Sequence, residues 1–282
     1  MNSKIGRHPR LPWQADDPQL ILSHCRWGEL KGTYKKSAKE AARGTEIYER
    51  AKKHFDESAA ADLIDQCVRQ TVVEQIVDLV LATKKPVRIV IPHPEYDPHD
   101  MDEGGNSLRP TNALPFAYAA YLAQEMDCPI DDQIIETARP GRTKLKRFPR
   151  FLWQPAFTGE VRQDCAYVLA DDNCTLGGTL ATLRTYILSK GGTIAAVTAL
   201  STNDGLNCRF PIAGNTVDVL KSTYSVDISS LWIEEIGHDI RCLTESEGTF
   251  LADWPKRNPS SDGASPFQRL RSRLAAAAAK GE

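Results

Sequence analysis

The sequence has no CxxC pair, no apolar run near the ~20 residues of a membrane span, no excess of either charge and no internal repeat. Each absence excludes something. Seven cysteines, an odd number, stand apart at 25, 67, 128, 165, 174, 208 and 242. That spacing suits neither a disulfide framework nor a structural zinc site; it reads as reduced, mostly buried thiols in a cytosolic protein. The 35 Lys and Arg nearly balance 37 Asp and Glu, for a net charge of −2. Nothing global therefore directs the chain to nucleic acid or to a membrane surface. The start, MNSKIGRHPRLPW, shows no apolar h-region, so no secretory leader is visible and a cytoplasmic location is expected. What is present is 282 residues, 41% apolar and 26% charged, enough for one large domain, or a domain with an appendage, around a substantial core.

Residues 1–18 read as a polar arm. Residues 19–36 read as two short strands, LILSHCRW and KGTYKK, around Gly28. Residues 37–83 look helical, with Ile47, Ala51 and Phe55 at helical spacing, and Pro86 stops the run. VRIVIP (87–92) is a short β-branched run suited to a buried parallel strand. A long polar loop follows, then a helix over 113–126 and a second strand, DQIIETA (132–138). A basic stretch covers 139–150. CAYVLA (165–170) and TIAAVTALS (193–201) are further strands, with a helix over 180–192 between them. NTVDVLKSTY and SSLWIEEIG read as later helices.

This alternation predicts an α/β fold with a mostly parallel central sheet flanked by helices. Three parts are expected: an N-terminal strand pair and helices forming a hood or a dimer surface (1–83), an α/β core (84–250), and a flexible linker with an exposed helical tail (251–282).

The informative stretch is YVLADDNCTLGGTL. An apolar strand runs into Asp171 and Asp172, and Thr175-Leu176-Gly177-Gly178-Thr179 then opens a helix. Acids at the carboxyl end of a parallel strand sit where α/β sheets bind ligands. Glycines at a helix N-terminus let backbone N–H groups approach an anion. Acids beside such a cradle suit hydroxyl donors or a cation.

The stretch resembles the signature of the type I phosphoribosyltransferases. The resemblance implies a magnesium-dependent transfer of phosphoribose from phosphoribosyl pyrophosphate (PRPP) to a nucleobase-like acceptor, by a chain that is a homo-oligomer. It assigns Asp171 and Asp172 to the ribose hydroxyls and the magnesium, and residues 175–179 to the 5′-phosphate. Leu176 stands where the family has threonine, so contact there falls to the backbone. Thr175 stands where 6-oxopurine enzymes carry an aspartate, which disfavours hypoxanthine or guanine as acceptor. Arg139, Arg142 and Lys144 are expected to neutralise the departing pyrophosphate. Gly104 and Gly105 form the anion nest expected in the otherwise acidic loop after the first core strand.

Other readings compete. A response-regulator receiver opens with a similar acidic pair, but its later phosphoacceptor aspartate has no good match and the double glycine is foreign to it. His93, Glu95, Asp97, His99 and Asp100 could ligate a metal or simply solvate a loop. Phe148, Phe151 and Trp153 beside the basic stretch have the composition of a base-stacking platform, or of packing residues. Lone histidines 24, 54 and 238 read as surface or satisfied core groups. A sensor that binds PRPP without turnover is the main rival to the enzyme.

Overall fold

The apolar runs and helical repeats build one five-stranded sheet with helices on both faces, seen in a computed structural model. It describes residues 9–33, 38–92, 110–136, 148–203, 205–225, 227–260 and 263–279. In chain order the elements are β1 (Leu20–Arg26), α1 (Trp27–Leu30), α2 (Ala38–Lys53), α3 (Glu57–Cys67), α4 (Gln70–Thr83), β2 (Val87–Val90), α5 (Leu114–Met126), β3 (Ile135–Glu136), α6 (Pro149–Leu152) and β4 (Phe157–Thr158). Then come β5 (Ala166–Cys174), α7 (Gly178–Ser189), β6 (Thr193–Thr202), β7 (Cys208–Arg209), α8 (Gly214–Tyr224), α9 (Ile228–Glu235), α10 (Glu245–Arg257) and α11 (Pro266–Ala279). The sheet order is β2-β5-β6-β1-β7. The first four strands are parallel and β7 closes the edge antiparallel.

Side-chain alternation along β5 sorts the core. Ala166, Val168 and Ala170 face one cluster with Ala51, Ile64, Ile76 and Tyr118, contributed by α2 to α5. Tyr167 and Leu169 face another with Leu180, Leu183 and Ile187 of α7. Burial on both faces is why β5 and β6 read as continuous apolar runs rather than alternating ones. A third cluster lies beside the sheet, where α8 to α11 close on Phe148 and Phe151. Those two rings pack against Phe250, Trp232 and Trp254, so they are core rather than a stacking platform.

Some expectations need correction. Where a strand pair is expected over 19–36, the described residues form one strand followed by a helical turn, and residues 34–36 lie outside the described residues. Glu29 Oε2 accepts the Arg26 N–H at 2.6 Å, which starts α1 around Gly28. β1 also lies inside the central sheet, beside β6, so that sheet takes a strand from the first 83 residues. Of the strand expected over 132–138, the described residues form only Ile135–Glu136, paired with β4; residues 137–138 lie outside the described residues. There Asp131 Oδ1 accepts the N–H groups of Gln133 and Ile134, at 3.0 and 3.1 Å, and turns the chain off the sheet.

Finally, the boundary at 250/251 falls inside α10, and one face of the tail helix is buried, with Leu270 and Leu274 fully so. A reciprocal cap starts α10, with Thr244 Oγ1 accepting the Glu247 N–H and Glu247 Oε2 accepting the Thr244 N–H.

Candidate functional site

Asp171 and Asp172 are the sixth and seventh residues of β5, which continues past the apolar run to Cys174. Neighbours on a strand point to opposite faces, and these two part company accordingly. Asp171 follows Tyr167 and Leu169 to the α7 side. It lines a pocket of about 50 Å³ with Thr175, Leu176, Gly177, Gly178, Thr179, Arg150 of α6 and the α10 capping residue Glu247. Its own Oδ1 accepts the Asp172 N–H at 2.8 Å. Asp172 follows Val168 and Ala170 to the α2 side. There Oδ2 accepts from Lys52 Nζ at 2.7 Å and from Asn112 Nδ2 at 3.1 Å.

The turn into α7 has two glycines for two different reasons. Gly177 has φ +77°, a left-handed conformation that side chains resist. Gly178 is required by a neighbour: a Cβ there would lie 2.5 Å from Glu247 Oε1 and 2.9 Å from Arg10 Nη2. Leu176 is buried, and its carbonyl accepts from Thr244 Oγ1 at 2.5 Å. Its leucine therefore anchors the turn in the α8–α11 cluster, which a threonine would not do. Beyond the turn, Thr175 Oγ1 and Asn173 Nδ2 both donate to Asn203 Oδ1, at 3.3 and 3.1 Å.

A buried ion pair closes the base of the pocket. Arg10 Nη1 lies 2.5 Å from Glu247 Oε2, and Arg10 Nη2 also donates to Gln154 Oε1 at 2.9 Å. Burial alone would raise the Glu247 pKa. The Arg10 charge and its hydrogen bonds, with the Thr244 N–H, outweigh burial and hold the carboxyl below its ordinary value. His238 nearby is pushed down to about 4 by burial and then by the Arg10 charge.

Magnesium does not fit this donor set as a protein-held ion. Asp172 Oδ2 already carries Lys52 and Asn112. Among the described residues no group of three His, Cys, Asp or Glu could hold a metal. Arg139, Arg142, Lys144, Gly104, Gly105 and the acidic loop from His93 to Glu103 lie outside the described residues. From the end of the basic stretch, Arg150 is described and lines the pocket.

Sequence reasoning missed Lys52, Asn112, Arg10 and Glu247. Each comes from a segment remote from the motif, and none carries a local signal. The opposite facing of Asp171 and Asp172 was readable from strand period alone.

No known protein-family description matches the chain. It is 26% identical to Protein TraN of Escherichia coli over 275 residues, 98% of this chain and 53% of TraN. A 79-residue stretch, 28% of the chain, is 35% identical to 18% of an uncharacterised protein of Haemophilus influenzae. The chain thus spans about half the length of TraN and less of the second relative.

Solved structures similar to it include adenine phosphoribosyltransferases. The enzyme of Thermoanaerobacter pseudethanolicus has a TM-score of 0.25 at 13% identity, over 48% of this chain and 73% of that one. The enzyme of Leishmania donovani has a TM-score of 0.27 at 13% identity, over 54% and 70%. Likeness at this level carries no functional argument.

The expected cytoplasmic location is withdrawn. The match to TraN along nearly the whole chain conflicts with it, and a missing h-region in a chain spanning 53% of that relative fixes no compartment. Among the described residues no helix is long and apolar enough to cross a membrane.

Proposed function

We propose that this chain binds PRPP at the carboxyl end of β5 and transfers its phosphoribose to a nitrogenous, nucleobase-like acceptor. The carrying observation is that Asp171 and the glycine turn 175–179 share one pocket at the N-terminus of α7. Backbone N–H groups and the helix dipole favour a 5′-phosphate there. The ribose lies across the carboxyl end of β5, its hydroxyls donating to Asp171, the acid that lines the pocket. The acceptor nitrogen forms a bond to the anomeric carbon as the bond to pyrophosphate breaks. Pyrophosphate leaves with the bonding pair, and the acceptor's proton passes to water. Arg150, and by the family resemblance Arg139, Arg142 and Lys144, offset the leaving group's charge. Orientation does most of the catalytic work. Magnesium borne on the ligand's pyrophosphate belongs to the ligand in this reading.

One observation favours a second reading, PRPP binding without turnover. The Glu247 carboxylate stands against Gly178, at the phosphate end of the pocket. Neutralised by Arg10, it tolerates an anion but adds nothing to hold one. Calorimetry with PRPP on the wild type and on Asp171→Asn/Asp172→Asn tests the site; binding by the wild type that the variant loses is expected. Pyrophosphate release with a nucleobase panel then separates the enzyme from the sensor. A folded wild type that binds no PRPP overturns both readings.

A further inference from the structure

Lys52 comes from the last turn of α2, far in sequence from the acidic motif. Its position is built by the backbone on either side. The Ala113 N–H donates to Ala51 O at 2.9 Å, and the Phe55 N–H donates to Thr111 O at 2.9 Å. The end of α2 is thereby stitched to residues 111–113. That same stretch supplies Asn112, fully buried, whose Oδ1 accepts the Leu114 N–H at 3.1 Å while its Nδ2 donates to Asp172. The Lys52 side chain is 15% exposed and that of Asp172 only 4%. A buried carboxylate stays ionised only where something compensates its lost hydration. Here a fixed ammonium and an amide do so on one oxygen.

A magnesium ion on a carboxylate oxygen sits about 2.1 Å away. On Asp172 Oδ2 it would stand within roughly 5 Å of Lys52 Nζ, where two cations repel strongly because little water screens them. We infer that Lys52 is the resident cation of this site. It takes the place of a metal at Asp172, holds that carboxylate on the α2 side of β5, and excludes a protein-held divalent ion. Lys52 is a positioning residue, and the inference rests on the reading of Asp171 and Asp172 as the ribose end of a PRPP site.

The test is a Mn²⁺ titration of the full chain, followed by electron paramagnetic resonance, with no PRPP present. Wild type, Lys52→Met and Lys52→Arg are compared, with folding checked by circular dichroism. Lys52→Met is expected to bind Mn²⁺ at least tenfold more tightly than wild type and to gain thermal stability from it. Lys52→Arg is expected to match wild type, since it keeps the charge. Should Lys52→Met not fold, Lys52→Gln takes its place. Equal Mn²⁺ affinity with and without the lysine charge overturns the inference. Because this titration contains no PRPP, it decides the role of Lys52 separately; failure of the PRPP reading shows instead as absent heat when wild type is titrated with PRPP.

Discussion

Arg10 and Glu247 are 237 residues apart in sequence and joined at 2.5 Å in the fold, each almost fully buried. The pair bolts the N-terminal arm to α10 at the base of the α7 turn. Removing one partner strands a buried charge, which typically costs about 3–5 kcal/mol. Arg10→Met and Glu247→Gln are each expected to lower the unfolding free energy by that order, read from urea denaturation. Replacing both with apolar residues should recover a large part of the loss. Because the Glu247 pKa is lowered in the fold, its contribution is present above its ordinary value of 4.5 and fades as pH falls through the lower folded value. Single variants as stable as wild type would show that the pair does not hold the arm.

The two glycines should fail in different ways. Gly177→Ala meets the left-handed backbone and should cost about 1–2 kcal/mol. Gly178→Ala drives a Cβ into Glu247 Oε1 and Arg10 Nη2 and should cost more, because a buried ion pair must move. Denaturation of both variants gives the ranking. If Gly178→Ala proves the milder change, the ion pair is not what demands glycine at 178.

The C-terminal helix is expected to behave as core. Leu270→Ala and Leu274→Ala should each cost about 2–5 kcal/mol, since both leucines are fully buried. A smaller effect is expected next door. Pro255 lacks the N–H that would bond the Leu251 carbonyl, and Tyr224 Oη donates to that carbonyl at 2.7 Å instead. Tyr224→Phe should therefore cost about 1–3 kcal/mol by leaving a buried acceptor unmet. Thermal melts decide both, and unchanged melting of the two leucine variants would mean the helix contributes nothing to the core.

Much of this architecture was legible because strand and helix periods are local. β5, β6, α5 and α7 fall where apolar runs and helical repeats put them. The tail was readable too: Leu270, Leu274 and Ala277 recur at i, i+4 and i+7, the spacing of a buried stripe, although Pro, Ser and Gly nearby suggest a linker. Pro255 inside α10 hides that helix because its compensation comes from Tyr224, in another element. The site was half legible. YVLADDNCTLGGTL marks the strand, turn and helix, but strand alternation turns Asp172 away from the pocket that Asp171 lines. Lys52 and Asn112 reach Asp172 through tertiary packing of α2 against residues 111–113, and no local spacing encodes that meeting.

His24 carries the last prediction, since its hydrogen bonds fix both its tautomer and its charge. The Arg69 N–H donates to Nδ1 at 3.0 Å, so Nδ1 is the acceptor and the ring proton sits on Nε2. Nε2 lies 2.7 Å from Tyr118 Oη and donates to it. Tyr118 Oη in turn lies 2.6 Å from Thr198 Oγ1, which donates to Leu22 O at 2.9 Å. Protonating Nδ1 would set it against the Arg69 N–H in a fully buried place. Burial is the main reason its pKa is pushed down to about 4. The unfolded chain, with a value near 6.5, then binds this proton first as pH falls. Stability is fully present above pH 6.5 and drains between 6.5 and 4, on the order of 3 kcal/mol for this residue at the acid limit. His238 shares the same direction and window. In a histidine-labelled NMR titration, the His24 ring should show no change from pH 7.5 to 5, with Nε2 protonated throughout. A midpoint near 6.5 would mean that the ring opens to water and that the chain from Arg69 to Leu22 is not closed.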